Sequence, residues 1–333
     1  MGRTCRKKNL NWFSSIGLRY RKGPGRGWTN QSLFGDTTQI TELTREMKRG
    51  GLSGNFRFGA DYYFNPKNIL TTSLNYRMSD EDNNTDVIYN DFWEIDGVRI
   101  PLLTTLRNDD EKEEEMDLEY VLTYRKLFGG KGHELVTDIR FEENEESENS
   151  LFTEKYSTPD GSVPRQDSIQ RSENVEGTKQ LALQIDYVKP FSKDSKFELG
   201  FRGSLRQIKN DYEVTEQDPD TKIFSEIPGL SNNFNYDENI YAVYSQYGNK
   251  INQFSYQFGL RAEYTDVTTE LINTNEINPR DYLNVFPSVF LGYDLPNDNA
   301  MQVSYSRRIR RPRFWDLNPF FTFSDNRNFF SGN

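Results

Sequence analysis

Cysteine and histidine are nearly missing from this chain of 333 residues: Cys5 and His133 are the single examples of each. One cysteine closes no disulfide within the chain. One histidine beside it leaves too few parts for a zinc site or a histidine-based catalytic triad. Long hydrophobic runs are missing as well. No stretch approaches the roughly 20 apolar residues that a spanning helix needs, and mean hydropathy is -0.85. Positive charge is in deficit, with a net charge of -10 and a pI of about 4.9. That excludes a general nucleic-acid binder, whose affinity rests on basic patches. The opening MGRTCRKKNLNWFSS is basic but has no apolar core behind it, so it does not read as a signal peptide.

What the chain does have is aromatic residues in alternation. It holds 19 Tyr and 24 Phe although only 34% of its residues are hydrophobic. In FSYQFGLRAEY (254–264) the apolar side chains Phe254, Tyr256, Phe258, Leu260, Ala262 and Tyr264 take every second position. Successive side chains of a strand point to opposite faces, so the segment has one apolar and one polar face. The same pattern recurs at 12–20, 56–64, 70–76, 116–124, 135–141, 181–187, 197–205, 285–293 and 301–305, with a strand of less certain facing at 239–247. This predicts about eleven or twelve strands, near the 9–11 residues that cross a bilayer when tilted.

The connections alternate between short and long. NPKN (65–68), FGGKG (128–132), FSKDS (191–195), YGNKIN (247–252) and LPNDN (295–299) are rich in turn residues. The intervening stretches, 21–51, 79–115, 144–177, 209–236 and 266–281, are polar and acidic and read as long loops. Short periplasmic turns and long extracellular loops belong to an outer-membrane barrel, which places the apolar faces against lipid. The opposite faces carry charges of both signs at mid-strand, among them Arg57, Asp61, Asp138, Asp186, Arg202, Arg261 and Glu263, which suits a wet lumen. Tyr and Phe gather near strand ends, as interfacial girdles do. The expected fold is all-β: an antiparallel up-and-down transmembrane β-barrel.

SYSRRIRRPRFWDLNPFFTFSDNRNFFSGN (304–333) is the most specific text in the chain. Tyr305, Ser306, Arg307, Arg308, Ile309, Arg311, Pro312, Leu317, Asn318, Pro319 and Phe320, followed by Asp325 and the closing Gly332 and Asn333, resemble a signature of TonB-dependent outer-membrane receptors, in the outer-membrane β-barrel branch of that family. The segments at 65–80, 124–141, 258–265 and 282–295 resemble successive hairpins of the same barrel. The resemblance implies a barrel of about 22 strands around a plug, localisation in the cell outer membrane, lipid as a partner, and a plug domain coupled to the TonB system. It implies uptake of an unidentified small ligand, with a plugless structural, adhesive or passive-pore barrel as the alternative. No plug, TonB-contacting segment or later strands are recognisable in residues 1–333. The expectation is therefore a partial barrel, one piece of a single domain, with two edges that lipid would not tolerate unpaired. Of the signature, Arg307 to Pro312 are expected at the outer rim, with Pro312 helping to end the last strand.

Other motifs carry less. SDEDNNTD (79–86) sets Asp80, Asp82, Asn84 and Asp86 at calcium-loop spacing, but Thr85 stands where the tight turn needs Gly. NDDEKEEEMDLE (108–119) and EENEESENS (142–150) read as solvated acidic loops able to attract cations. KGPGRGWTN (22–30) lacks the G-K-[ST] of a phosphate cradle. Nothing marks a nucleophile with a positioned base. The sequence thus leads us to expect no enzyme, no metal and no cofactor.

Overall fold

The computed structural model describes residues 2–297, 299–312, 316, 322–325 and 328–330. Twelve strands follow one another across one antiparallel sheet: β1 (Gly2–Lys7), β2 (Leu10–Leu33), β3 (Thr38–Asn65), β4 (Asn68–Ile95), β5 (Val98–Leu127), β6 (Glu134–Ser157), β7 (Ser168–Pro190), β8 (Ser195–Gln217), β10 (Asn232–Ile251), β11 (Phe254–Leu271), β12 (Glu276–Asp294) and β13 (Ala300–Ser306). The short β9 (Phe224–Glu226) pairs with the end of β8, and β14 (Thr322–Asp325) and β15 (Asn328–Phe330) form a separate hairpin. Each strand of the main path bonds to its sequence neighbour, and among the described residues β1 and β13 do not pair with each other. The sheet is an open section of up-and-down barrel wall.

Register divides the side chains into two families. Phe58, Leu74, Tyr120 and Phe141 share one row, and Tyr241 and Tyr264 lie opposite each other on the same face. That outer face carries exposed Leu181, Leu199, Phe258, Leu260, Val285 and Val303. On β11 the apolar positions run from Phe254 to Tyr264. Eleven strand residues, tilted by about 40°, cover roughly 27 Å, close to the apolar band of an outer-membrane barrel. At one border Phe191, Tyr247, Tyr256, Phe254 and Phe258 touch ring to ring with centroids 5.6–6.5 Å apart. Just beyond that border lie the tight turns at 66–67, 191–194, 252–253 and 295–299.

The other end differs from the expectation of long loops. β3 to β8 continue far beyond the apolar band as paired strands, and their connections shrink to 34–37, 96–97, 158–167 and 218–231, the last containing β9. Asp96 and Gly97 both adopt positive φ, 52° and 76°, and close the β4–β5 hairpin in two residues. That is the geometry Asp-Gly favours, because its twist matches the flanking strands. The extended rim holds apolar clusters of its own: Ile208, Phe234, Tyr236 and Leu271 in one, Phe152 and Val214 with Tyr212, Ile227 and Leu230 in another. Arg107 is buried there, bonding Asp109 at 2.5 Å and Glu154 at 3.4 Å and lying 4.4 Å over the Phe152 ring. Strand geometry also removes the calcium-loop reading, since Asp80 to Asp86 span about 20 Å of extended β4 and cannot wrap one cation.

Two glycines let rings lie flat on the wall. A Cβ on Gly59 would fall 2.2 Å from Phe13, and one on Gly200 2.2 Å from Tyr244, so neither position accepts a side chain without displacing an aromatic. The assignment of faces is open to a direct test. Leu260→Arg, at the centre of the outer apolar band, should cost about 2–4 kcal/mol of stability in lipid, whereas Gln257→Arg on the inner face should cost under about 1 kcal/mol. Urea unfolding of both variants in bilayers measures the difference, and equal costs would contradict the assignment.

Candidate binding surface on the inner face

The inner face is polar within the apolar band and strongly acidic beyond it. Within the band, Asp61 accepts from Asn11 at 2.9 Å and Thr71 at 2.8 Å, Asp138 accepts from Thr123 at 2.5 Å, and Glu198 accepts from Gln246 at 2.6 Å and Lys196 at 2.8 Å. Asp186 accepts from Gln184 at 2.7 Å and from the Tyr244 hydroxyl. The mid-strand charges that the sequence sets on alternate positions therefore do face one another across the wall, mostly satisfied.

Beyond the band the arrangement changes. Pairing sets Glu81, Glu113 and Glu148 in one row across β4, β5 and β6, and Glu115, Glu146 and Glu176 in the next across β5, β6 and β7. Glu111 lies two residues further along β5, opposite Asn83. Among the described residues none of these seven carboxylates has an ion pair. Like charges directly opposite each other destabilise a sheet. The effect is visible in the acid–base balance: burial, then the charges of Glu146, Glu111, Glu81 and Glu148, push the Glu113 carboxyl up to about 6. Burial also raises Glu146, Glu148 and Glu176, each with help from a neighbouring glutamate. Asn83 is only 7% exposed; its amide donates to Glu111 at 2.7 Å, while its Oδ1 meets no donor.

A recess of about 1260 Å³ opens instead at the tight-turn end between the 128–133 and 191–194 turns. Of its lining charges, Lys196–Glu198 and Lys250–Asp294 are paired at 2.8 and 2.5 Å and Glu134 bonds Arg125 at 2.6 Å, while Lys131, Lys193 and Asp194, of both signs, stand in its exposed turns. The acidic end gathers unmatched charge of a single sign on adjoining rows, so that end is the better candidate.

The signature residues scatter. Tyr305 is exposed on the outer face of β13. Arg307 reaches back to β12, donating to the carbonyl of Val285 at 3.2 Å and to Asn284 at 3.5 Å, while its backbone N–H bonds the Pro287 carbonyl at 3.1 Å. Arg308 and Pro312 are exposed, and the ladder ends at Ser306 without help from Pro312. Arg311 enters the inner wall and bonds Glu263 and Thr265. Leu317, Asn318, Pro319 and Phe320 lie outside the described residues, as does the facing of the aromatics that follow them.

A family model described as the outer membrane protein beta-barrel family matches residues 126–333. The chain belongs to that family. As a member of the outer membrane protein beta-barrel family it is localised to the outer membrane. No curated protein matches it. A solved structure, the outer membrane protease OmpT from Escherichia coli, matches with 12% identity over 90% of this chain and 97% of that one, at a TM-score of 0.28.

Two expectations are corrected here. The TonB-dependent receptor fragment does not stand: the matching family is described by its barrel alone. The alternation of short turns with very long loops is also weaker than expected, because much of each expected loop is paired strand and the connections shorten to 34–37, 96–97, 158–167 and 218–231. The exclusion of enzymatic activity is likewise withdrawn. The exclusion rested on the lack of a nucleophile with a positioned base, whereas register gathers carboxylates from four strands and leaves Glu113 near 6, a range in which a carboxyl serves as acid or base.

The raised Glu113 value has a definite pH signature. A carboxyl at about 6 when folded and 4.5 ordinarily holds its proton more tightly in the native state. The penalty from burial and repulsion is then complete above pH 6, is relieved as pH falls through the window to 4.5, and is absent below it. The thermal midpoint should rise between pH 7 and pH 5. Glu113→Gln should raise it at pH 7 and flatten its dependence on pH, and a midpoint unmoved by the substitution would contradict the assignment.

Proposed function

We propose that this outer-membrane barrel wall binds cationic molecules on its inner face, at the rim beyond the membrane. One observation carries the reading: seven carboxylates without an ion pair among the described residues occupy adjoining rows of four neighbouring strands, and burial, with repulsion between neighbours, raises the pKa of four of them. Sheets ordinarily alternate charge sign across strands, so this placement costs stability that a bound cation offsets. The unmatched acceptor of buried Asn83 beside Glu111 supports the same reading, since a carbonyl oxygen among carboxylates lacks only a donor or a cation. A low-dielectric wall behind the charges would focus their field toward the opening and speed capture.

A labelled tetralysine peptide is a suitable probe. Titrated at low salt into the protein in uncharged lipid vesicles, it should bind with an affinity that falls on the order of tenfold in a Glu113→Gln, Glu146→Gln, Glu148→Gln triple variant. Salt at about 1 M, which screens beyond roughly 3 Å, should abolish the difference. Equal binding by wild type and triple variant at low salt would overturn the reading.

A further inference from the structure

The segment 307–312 turns off the end of β13 and lies on the inner wall, where one contact matters most. Glu263, on β11, is 4% exposed, although it sits mid-wall in a barrel. Its Oε2 accepts from Arg261, from Nε at 3.0 Å and Nη2 at 2.6 Å, and its Oε1 accepts from Arg311 Nη2. The same Nη2 donates to the hydroxyl of fully buried Thr265 at 3.1 Å. A buried carboxylate flanked by two guanidinium groups is held by charge-assisted bonds, the strongest polar contacts available there. Yet the fit of Arg311 is incomplete: its Nε is buried and meets no acceptor. Beyond Arg307, no other hydrogen bond or ion pair described for 308–312 ties the segment to the wall, and Arg308, Ile309 and Arg310 are exposed.

We propose that Glu263 and Thr265 form a guanidinium site which Arg311 fills, and from which an arginine-like solute displaces it, releasing the 307–312 segment as a strap. The solute class rests on the cation-binding reading above; the latch itself does not. Arg261 stays on Glu263 throughout, so the carboxylate is never left unpaired during exchange. An incoming guanidinium makes the same two bonds and is free to satisfy its remaining N–H groups in water, which Arg311 Nε cannot do. Its handicap is the tether, because a short linker holds Arg311 at an effective concentration in the millimolar range. Release therefore calls for millimolar monovalent guanidinium. Both bonds come from one nitrogen, so the preference for guanidinium rests on hydration: an ammonium is the more strongly hydrated cation, loses more on entering a buried site, and should work poorly.

The test places a spin label at Ile309→Cys in a Cys5→Ser background, with the protein in lipid vesicles. The label should be slow in wild type and become fast with arginine amide at a midpoint of about 1–10 mM. Lysine amide at equal ionic strength should need several-fold more. Glu263→Gln should free the label without any solute. Arg311→Lys, which keeps the charge and protects the test if Glu263→Gln does not fold, replaces the tethered guanidinium with the poorer occupant and should lower the arginine midpoint several-fold. A label that is equally slow in both variants, or that responds alike to the two amides, overturns the proposal. The two readings fail separately: loss of tetralysine binding in the triple variant leaves this label response unchanged, and a dead latch leaves tetralysine binding intact.

Discussion

Backbone hydrogen bonding in lipid is the constraint from which the remaining features follow. Every N–H and C=O within the membrane must find a partner inside the protein, which a strand ladder supplies and an isolated strand does not. Once twelve strands are laddered in sequence order, the pleat sends alternate side chains to lipid and to the interior, with no further choice about facing. Leu260 and Phe258 on one side and Gly259 and Arg261 on the other are consequences of a single register. The same register carries on past the membrane, so the inner-face rows continue into the rim, where water is available and charge is affordable. The acidic rows arise in that way, from strands rather than from loops.

Such a rim needs its own means of staying folded, because repulsion among its glutamates works against it. Two sets of contacts supply it. Apolar side chains on the inner face of β8, β10 and β11, with Ile208 and Phe234 at the centre, make a small core outside the membrane. Arg107, bonded to Asp109 and Glu154 over the Phe152 ring, joins β5 to β6 on the same face. Breaking a buried pair of that kind is costly because the partner charge stays behind. The carboxylate rows thus lie between the membrane band and a packed outer edge, held in place while mutually repelling.

Much of the wall was legible in the sequence because period-two alternation is a local property. The apolar faces of residues 56–64, 181–187 and 254–264, the inward charges such as Asp61, Asp186, Arg261 and Glu263, and the tight turns all follow from it. The rim was misread because its residues alternate weakly and carry like charges, which resemble solvated loop. Signals were present nonetheless: Asp96-Gly97 between Tyr89, Trp93 and Ile95 on one side and Val98 and Ile100 on the other is a hairpin turn, and Glu111, Glu113 and Glu115 fall on every second position. What no sequence reading reaches is juxtaposition across strands. That Glu113 faces Glu148, or that Arg311 returns to Glu263 from 48 positions away, depends on register and chain path.

The central claim is that residues 98–115 continue the membrane ladder as β-strand and thereby present their glutamates inward. Amide hydrogen exchange of the protein in lipid vesicles tests it most directly. Ladder-bonded amides throughout 98–115 should be protected by several orders of magnitude relative to unstructured peptide, with protection breaking only at 96–97. Exchange across 98–115 at the rate of an open loop would contradict the account, and the acidic rows would dissolve with it.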